Sequence, residues 1–330
     1  MKDYLFSSAR IRTLESQLVT RARTEELLEA KSLAEAFDRL REYGIDPVTD
    51  ENGKPLREDT LLSILRKSYL TVEEMLPDDA ALVLWRYPYD CNNIKAAIKG
   101  FARKIDPRTM MFDFGTVAID SVIRMTETGC FDGLPTHMKA AAVSATEEYA
   151  KTKDPQVIDL MLDAACYADM LEAATRSGVA FAVQLVRMKI DLTNLLICVR
   201  ILRMKSGEMG RLLLENALIA GGLISFADLK AWFSVGEDFL WDRLYYSEYD
   251  VLASAVSASD GSLTAVERCL DNEWMRQIRS VKFVSYGAEV AIAFLQAHEY
   301  EVRNLRIILS GKEAGLATET LRERIRDSYV

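Results

Sequence analysis

Residues that break helices are scarce in this chain, and this scarcity constrains its fold more than any other feature. Glycine and proline occupy only 16 and 7 of the 330 positions. The stretches between them are rich in Ala, Leu, Glu and Arg, whose side chains lose little freedom in a helix. We find no clear run that alternates apolar and polar residues with the period of two typical of a half-buried strand. The sequence therefore predicts an all-α fold.

Several segments carry apolar residues at helical spacing. Such spacing runs through 8–43 and 62–76, and the pattern over 274–295 predicts a single long helix. Residues 44–55 (GIDPVTDENGKP) have the Gly, Pro, Asn and Asp content of a surface loop. Asp154 followed by Pro155 predicts a helix start, because aspartate caps a first turn and proline needs no N–H there.

The composition argues against several classes of protein. A net charge of −9 and a pI near 5.1 do not suit a dedicated nucleic-acid binder, which needs a basic surface. The longest uncharged run, 216–227, has 12 residues, whereas a membrane-spanning helix needs about 20. No signal peptide is visible, and the five scattered cysteines suit neither a zinc site nor a disulfide framework. We expect a cytoplasmic protein without a membrane span.

Sequence patterns typical of catalysis are missing. The chain has no GxxxxGK[ST] phosphate loop, no GxGxxG after a strand and no GxSxG elbow. Its two histidines, His137 and His298, have no further ligand at metal-binding spacing, so we interpret both as surface or packing residues. The sequence predicts a non-catalytic interaction protein with no cofactor and no metal.

One short motif occurs three times, as an acidic residue, two further residues, an asparagine and then Ile or Leu. Successive asparagines are 101 residues (194 − 93) and 110 residues (304 − 194) apart, which suits three similar helical units. The spacing of three places the acid and the asparagine on one helical face. The motif residues are Asp90 and Asn93, Asp191 and Asn194, and Glu301 and Asn304.

Two interpretations of these motifs stay open. The polar pairs are either structural, bonding backbone groups where helices converge, or they contact a partner directly. A basic flank accompanies each motif and includes Lys95, Arg200 and Arg306. Such cations either complement helix C-termini and stay solvated, or together form a positive zone that faces an acidic partner.

The two ends of the sequence and the repeated motif resemble a known family. Residues 4–12 (YLFSSARIR) and 303–312 (RNLRIILSGK), with Gly315, Leu316 and the Arg-rich segment that follows them, are similar to the C subunit of archaeal and bacterial A/V-type ATPases. The eukaryotic counterpart is the d subunit of the V-ATPase. The resemblance extends over the whole length by order and spacing. Glu301 departs from the aspartate of the first two motifs, and Leu196 stands where the other motifs have Lys95 and Arg306.

The resemblance implies a fold and a role. It implies three similar helical units in a pseudo-threefold funnel, approximately 1–115, 116–222 and 223–330, with interleaving through the chain termini. The implied role is non-catalytic and needs no cofactor: the protein links the rotor shaft to the membrane ring and transmits torque between ATP turnover and proton or sodium transport. The implied partners are the D and F subunits of the central stalk and the proteolipid ring, at the cytoplasmic face of the membrane.

Without the resemblance, the residues alone leave other functions open. A general helical scaffold unrelated to ATPases fits the composition equally well. A helical enzyme that uses some of the many carboxylates on a small ligand is a further alternative. Copurification with ATPase subunits, binding to unrelated proteins, or turnover abolished by one carboxylate substitution would distinguish the three.

Overall fold

The computed structural model describes residues 4–76, 80–204 and 207–330. Within these ranges no β-strand forms, which confirms the predicted all-α fold; two isolated bridges, Thr49 with Pro55 and Asp132 with Leu134, are the only β pairings there. The helices in chain order are α1 (Leu5–Leu14), α2 (Arg21–Glu29), α3 (Leu33–Glu42), α4 (Arg57–Met75), α5 (Ala80–Val83), α6 (Tyr87–Arg103), α7 (Ile119–Thr128), α8 (Thr136–Thr152), α9 (Pro155–Ser177), α10 (Ala180–Met204), α11 (Gly207–Ala217), α12 (Phe226–Val235), α13 (Glu237–Leu244), α14 (Asp250–Ser257), α15 (Leu263–Ser280), α16 (Ala288–Glu313) and α17 (Thr318–Arg322).

Local sequence signals fix several helix ends. Asp154 caps α9 by accepting a hydrogen bond from the N–H of Gln156, and Pro155 occupies the first helical position, as predicted. Thr20 and Ser32 cap α2 and α3 in the same way, so the helical spacing of residues 8–43 belongs to three helices. The predicted loop at 44–55 lies between α3 and α4.

The prediction of one long helix over 274–295 is wrong. The chain leaves α15 after Ser280, turns through 281–287 and enters α16 at Ala288. Gly287 has a φ of 146°, a backbone conformation that side-chain-bearing residues rarely adopt. The apolar spacing continues across the break because both helices face the same core, so periodicity alone could not reveal the turn.

The chain folds into two compact units. The first comprises Met1–Asp78 and Trp241–Val330, and thus contains residues from both ends of the sequence. Its centre is α16, which is buried along most of its length and packs against α1, α2, α3, α4 and α15. A helix that is buried on nearly every side needs apolar or internally bonded side chains all round, and α16 has them.

The second unit comprises Asp79–Leu240. Its central helix is α9, which packs against α6, α8 and α10. Small buried residues on α9, such as Ala165, Ala173 and Ala174, let the neighbouring helices approach closely. The division into 1–115, 116–222 and 223–330 stays a prediction.

Candidate functional site

The three repeated motifs lie within the three helices α6, α10 and α16, one motif on each. Their polar side chains are buried, a placement that polar groups tolerate only when they are hydrogen-bonded. The least exposed are Asp90, Asn93 and Asp191, each with a relative exposure of 0%. The hydrogen-bond partners of these side chains therefore decide what the motif does.

Each motif asparagine forms the same pair of bonds, which we call the amide clasp. Its side-chain N–H donates to a backbone carbonyl, and its side-chain oxygen accepts the backbone N–H of that same residue. Asn93 bonds Phe112 in this way (2.8 and 2.8 Å), and Asn194 bonds Ile219 (2.8 and 2.9 Å). Asn304 holds Arg326 equivalently (2.9 and 3.0 Å). Only a side-chain amide offers a donor and an acceptor in this arrangement.

The motif aspartates bind the segment that leads into a later helix, α7 for Asp90 and α12 for Asp191. Asp90 accepts the N–H groups of Thr116 and Val117 at 3.0 Å each, together with the Thr116 hydroxyl at 2.7 Å. Asp191 accepts those of Leu223 and Ile224 at 3.0 and 3.1 Å. In both of these copies the bonded residues start four positions after the residue held by the amide clasp. Acid and amide together thus fix the same short segment to one long helix.

Two glycines complete the first two copies, and sequence reasoning missed them. A Cβ on Gly115 would lie 2.1 Å from Oδ1 of Asp90, and a Cβ on Gly222 would lie 2.1 Å from Oδ1 of Asp191. Both positions therefore need a residue without a side chain. The motif itself gave no signal for them, because the glycines lie 22 (115 − 93) and 28 (222 − 194) positions beyond the motif asparagines.

The third copy uses a different part of the chain. Glu301 accepts the N–H of Val19 at 2.5 Å, and its other oxygen lies 2.7 Å from Nδ1 of His298. Val19 directly precedes Thr20, the capping residue of α2, just as Ile224 precedes the capping residue of α12. Glu301 thus accepts a backbone N–H from the segment before α2, near the start of the chain. Asp90 and Asp191 accept such N–H groups from segments that follow them in the sequence.

The basic residues beside the motifs have different surroundings. Lys95 is mostly buried, with 17% of its side chain exposed, and pairs with Asp163. Arg306 pairs with Glu58 at 3.0 Å. Arg200 is exposed near the C-terminal end of α10, one turn before Met204. Lys95 and Arg306 therefore already have internal acidic partners, so any contact of these residues with another protein remains a prediction.

Burial affects the ionisation of the first motif. It raises the pKa of Asp90 above the ordinary value of 3.8, although the donors of Thr116 and Val117 oppose the shift. The native chain thus binds this proton more tightly than the unfolded chain does. Ionisation of Asp90 therefore lowers stability as the pH rises from the ordinary value through the raised one.

We predict a pH dependence that the Asp90→Asn variant removes. As the pH rises above about 4, the unfolding free energy of the unmodified chain should fall relative to that of Asp90→Asn, because the pKa of Asp90 is raised in the native state. Urea unfolding at several pH values measures this difference, and the other titrating groups cancel because both proteins share them. A difference that does not change with pH would contradict the prediction.

The two histidines each lie beside carboxylates. His298 pairs with Glu301 as described, and its ring packs edge-on against Phe294 at a centroid distance of 4.6 Å. Nε2 of His137 lies 3.2 Å from Oε2 of Glu172.

No helix among the described residues is long and apolar enough to cross a membrane.

Comparison with known proteins gives this geometry a context. A family model described as "ATP synthase (C/AC39) subunit" matches residues 7–324. The chain belongs to this family. Membership confirms the resemblance to the C subunit of A/V-type ATPases, and it makes the chain one of the components of an ATPase complex.

Individual relatives of the family span almost the same length. The chain is 25% identical to the C subunit of the A-type ATP synthase of Pyrococcus horikoshii, over 98% of this chain and 90% of the relative. It is 24% identical to that of Methanosarcina mazei, over 98% and 92%. It is also 21% identical to the C subunit of the V-type sodium ATPase of Enterococcus hirae, over 97% of both.

Proposed function

We propose that this chain is the non-catalytic coupling subunit of a rotary A/V-type ATPase. In this role it links the central rotor shaft, built from the D and F subunits, to the proteolipid ring. It transmits torque between ATP hydrolysis or synthesis and the movement of protons or sodium ions. It works at the cytoplasmic face of the membrane, without entering the bilayer.

The observation that carries this proposal is the family match over 7–324, together with relatives that are C subunits by name and align along nearly their full length. A component of a rotary complex that lacks the sequence patterns of nucleotide catalysis is suited to a mechanical task. The match also favours three helical units in a funnel, each carrying one motif.

The buried motifs suit a part that bears torque. A loop that is held only by its ends yields under load, whereas a loop bonded to the middle of a long helix moves with it. The amide clasps at Asn93, Asn194 and Asn304 each add two hydrogen bonds of this kind. Because packed interiors transmit strain, such cross-links make the helices and their loops deform together.

Reconstitution with and without the chain tests the coupling role. We expect ATP hydrolysis by the soluble sector to persist when the chain is omitted, because catalysis resides elsewhere. ATP-driven ion uptake into vesicles that carry the membrane sector should be lost. Hydrolysis is measured by phosphate release, and uptake by a pH dye or a sodium tracer.

Adding the purified chain back supplies the control. It should restore ion uptake in proportion to the amount bound, with little change in the hydrolysis rate of the soluble sector. Ion uptake that survives omission of the chain would contradict the coupling role. Loss of hydrolysis by the isolated soluble sector would contradict the non-catalytic role.

A further inference from the structure

We propose that His137, Asp169 and Glu172 form a binding site for a divalent transition-metal ion, with zinc as the best-suited probe. One ligand atom from each residue lies within 4.8 Å of the other two. The site joins the start of α8 to the second half of α9. It is independent of the coupling role proposed above.

Asp169 is the fixed member of the group. Its side chain is buried, with 3% relative exposure, and its two oxygens accept the backbone N–H groups of His137 at 2.9 Å and Met138 at 2.7 Å. Each carboxylate oxygen has a second lone pair, so these bonds leave Asp169 able to coordinate. Ligating carboxylates are commonly held by such outer hydrogen bonds, which orient them toward the metal.

His137 and Glu172 are the adjustable members. Their side chains are 48% and 43% exposed, which leaves a path for an ion from solvent. Ligands of a tetrahedral ion with bonds of about 2.0 Å lie about 3.3 Å apart. Nε2 of His137 and Oε2 of Glu172 are already at 3.2 Å. Their ligand atoms lie within 4.8 Å of an oxygen of Asp169, so rotation of the His137 and Glu172 side chains must shorten these separations by up to about 1.5 Å to reach the tetrahedral spacing.

The charges also suit a divalent cation. Two carboxylates with a neutral imidazole balance two positive charges, and imidazole with carboxylate is a donor set that zinc accepts. The positive end of α8, equivalent to about half a unit charge, opposes a cation and offsets part of the Asp169 charge, so the two carboxylates retain a net charge of about −1.5 for the ion. Nε of Arg176 lies 3.8 Å from the other oxygen of Glu172 and leaves Oε2 available. A bound ion would join the start of α8 to α9.

Titration of the purified full-length chain with zinc chloride tests this site. After EDTA treatment and buffer exchange, calorimetry should show saturable binding of one ion per chain, and zinc should raise the Tm. His137→Gln and Glu172→Gln should each weaken binding more than tenfold and abolish the rise in Tm. Both variants keep Asp169, so the bonds that cap α8 are preserved.

Matched controls exclude other ligands. Glu147→Gln changes an exposed acid on α8, the helix of His137, and should bind zinc as tightly as the chain with Glu147. All titrations use a Cys130→Ser background, because Cys130 is an exposed thiol and lies 3.1 Å from a carboxylate oxygen of Asp132. Absence of saturable binding, or equal affinity of the Cys130→Ser chain with and without His137→Gln, would overturn the proposal.

Discussion

Replacing Asn194 with alanine should lower the free energy of unfolding by about 3 kcal/mol. The side chain is buried and supplies both a donor and an acceptor to the backbone of Ile219. Alanine leaves that N–H and that carbonyl buried without these partners, and each unsatisfied group costs about 1–3 kcal/mol. Urea unfolding of the full chain measures the loss.

Hydrogen exchange should locate this effect. The amide of Ile219 should lose protection first, because Asn194 is its acceptor, and the amides of Leu223 and Ile224 should follow as the segment loosens. Asn92→Ala is the matched control: Asn92 is exposed and makes one side-chain bond, to the carbonyl of Met110. Its effect should stay within about 0.5 kcal/mol. Equal effects of the two variants would contradict a special role for the buried amide.

The fold class was predictable because it depends on local properties. Scarce helix breakers and helical apolar spacing report on each short stretch of chain separately, and the Asp154–Pro155 start could be placed to the residue. The break between α15 and α16 was not predictable in this way. It spans residues 281–287 inside a pattern whose apolar residues on both sides face one core, and only Gly287 at its end has a backbone conformation that favours glycine.

The motif was predictable as a pattern but not as a set of contacts. Three copies at similar spacing indicated a shared role, while their hydrogen-bond partners lie 19, 25 and 22 residues from the asparagines. Nothing in five residues specifies which distant backbone group they will meet. Glu301 shows this most clearly, since its partner Val19 is 282 positions away in the sequence.

The same limit applies to His137. Asp169 comes 32 positions later, so no spacing rule for metal ligands could associate the two. Helix packing brings them together, because α8 and α9 pack against each other over much of their length. Groups assembled by tertiary packing become visible only when the helices have been placed.

Replacing Gly222 with alanine should lower the free energy of unfolding by roughly 2–4 kcal/mol, a large effect for a single added methyl group. The new Cβ would lie 2.1 Å from Oδ1 of Asp191, which is far closer than atoms can approach, and 3.0 Å from its Cγ, which is also tight. The segment must move away from α10, and the bonds from Leu223 and Ile224 to the carboxylate would lengthen or break. Thermal and urea unfolding measure the loss, and Gly115→Ala should behave alike against Asp90.

A double-mutant cycle separates this clash from a general intolerance of alanine. In an Asp191→Ala background the carboxylate is gone, so Gly222→Ala should cost much less than it does in the unmodified chain. Neighbouring residues that share a contact commonly show coupling of about 0.5–3 kcal/mol. Additive effects of the two substitutions would mean that the glycine is required for another reason. Coupling would establish that Gly222 and Asp191 act as one structural element, in which the absence of a side chain at 222 is as necessary as the carboxylate at 191.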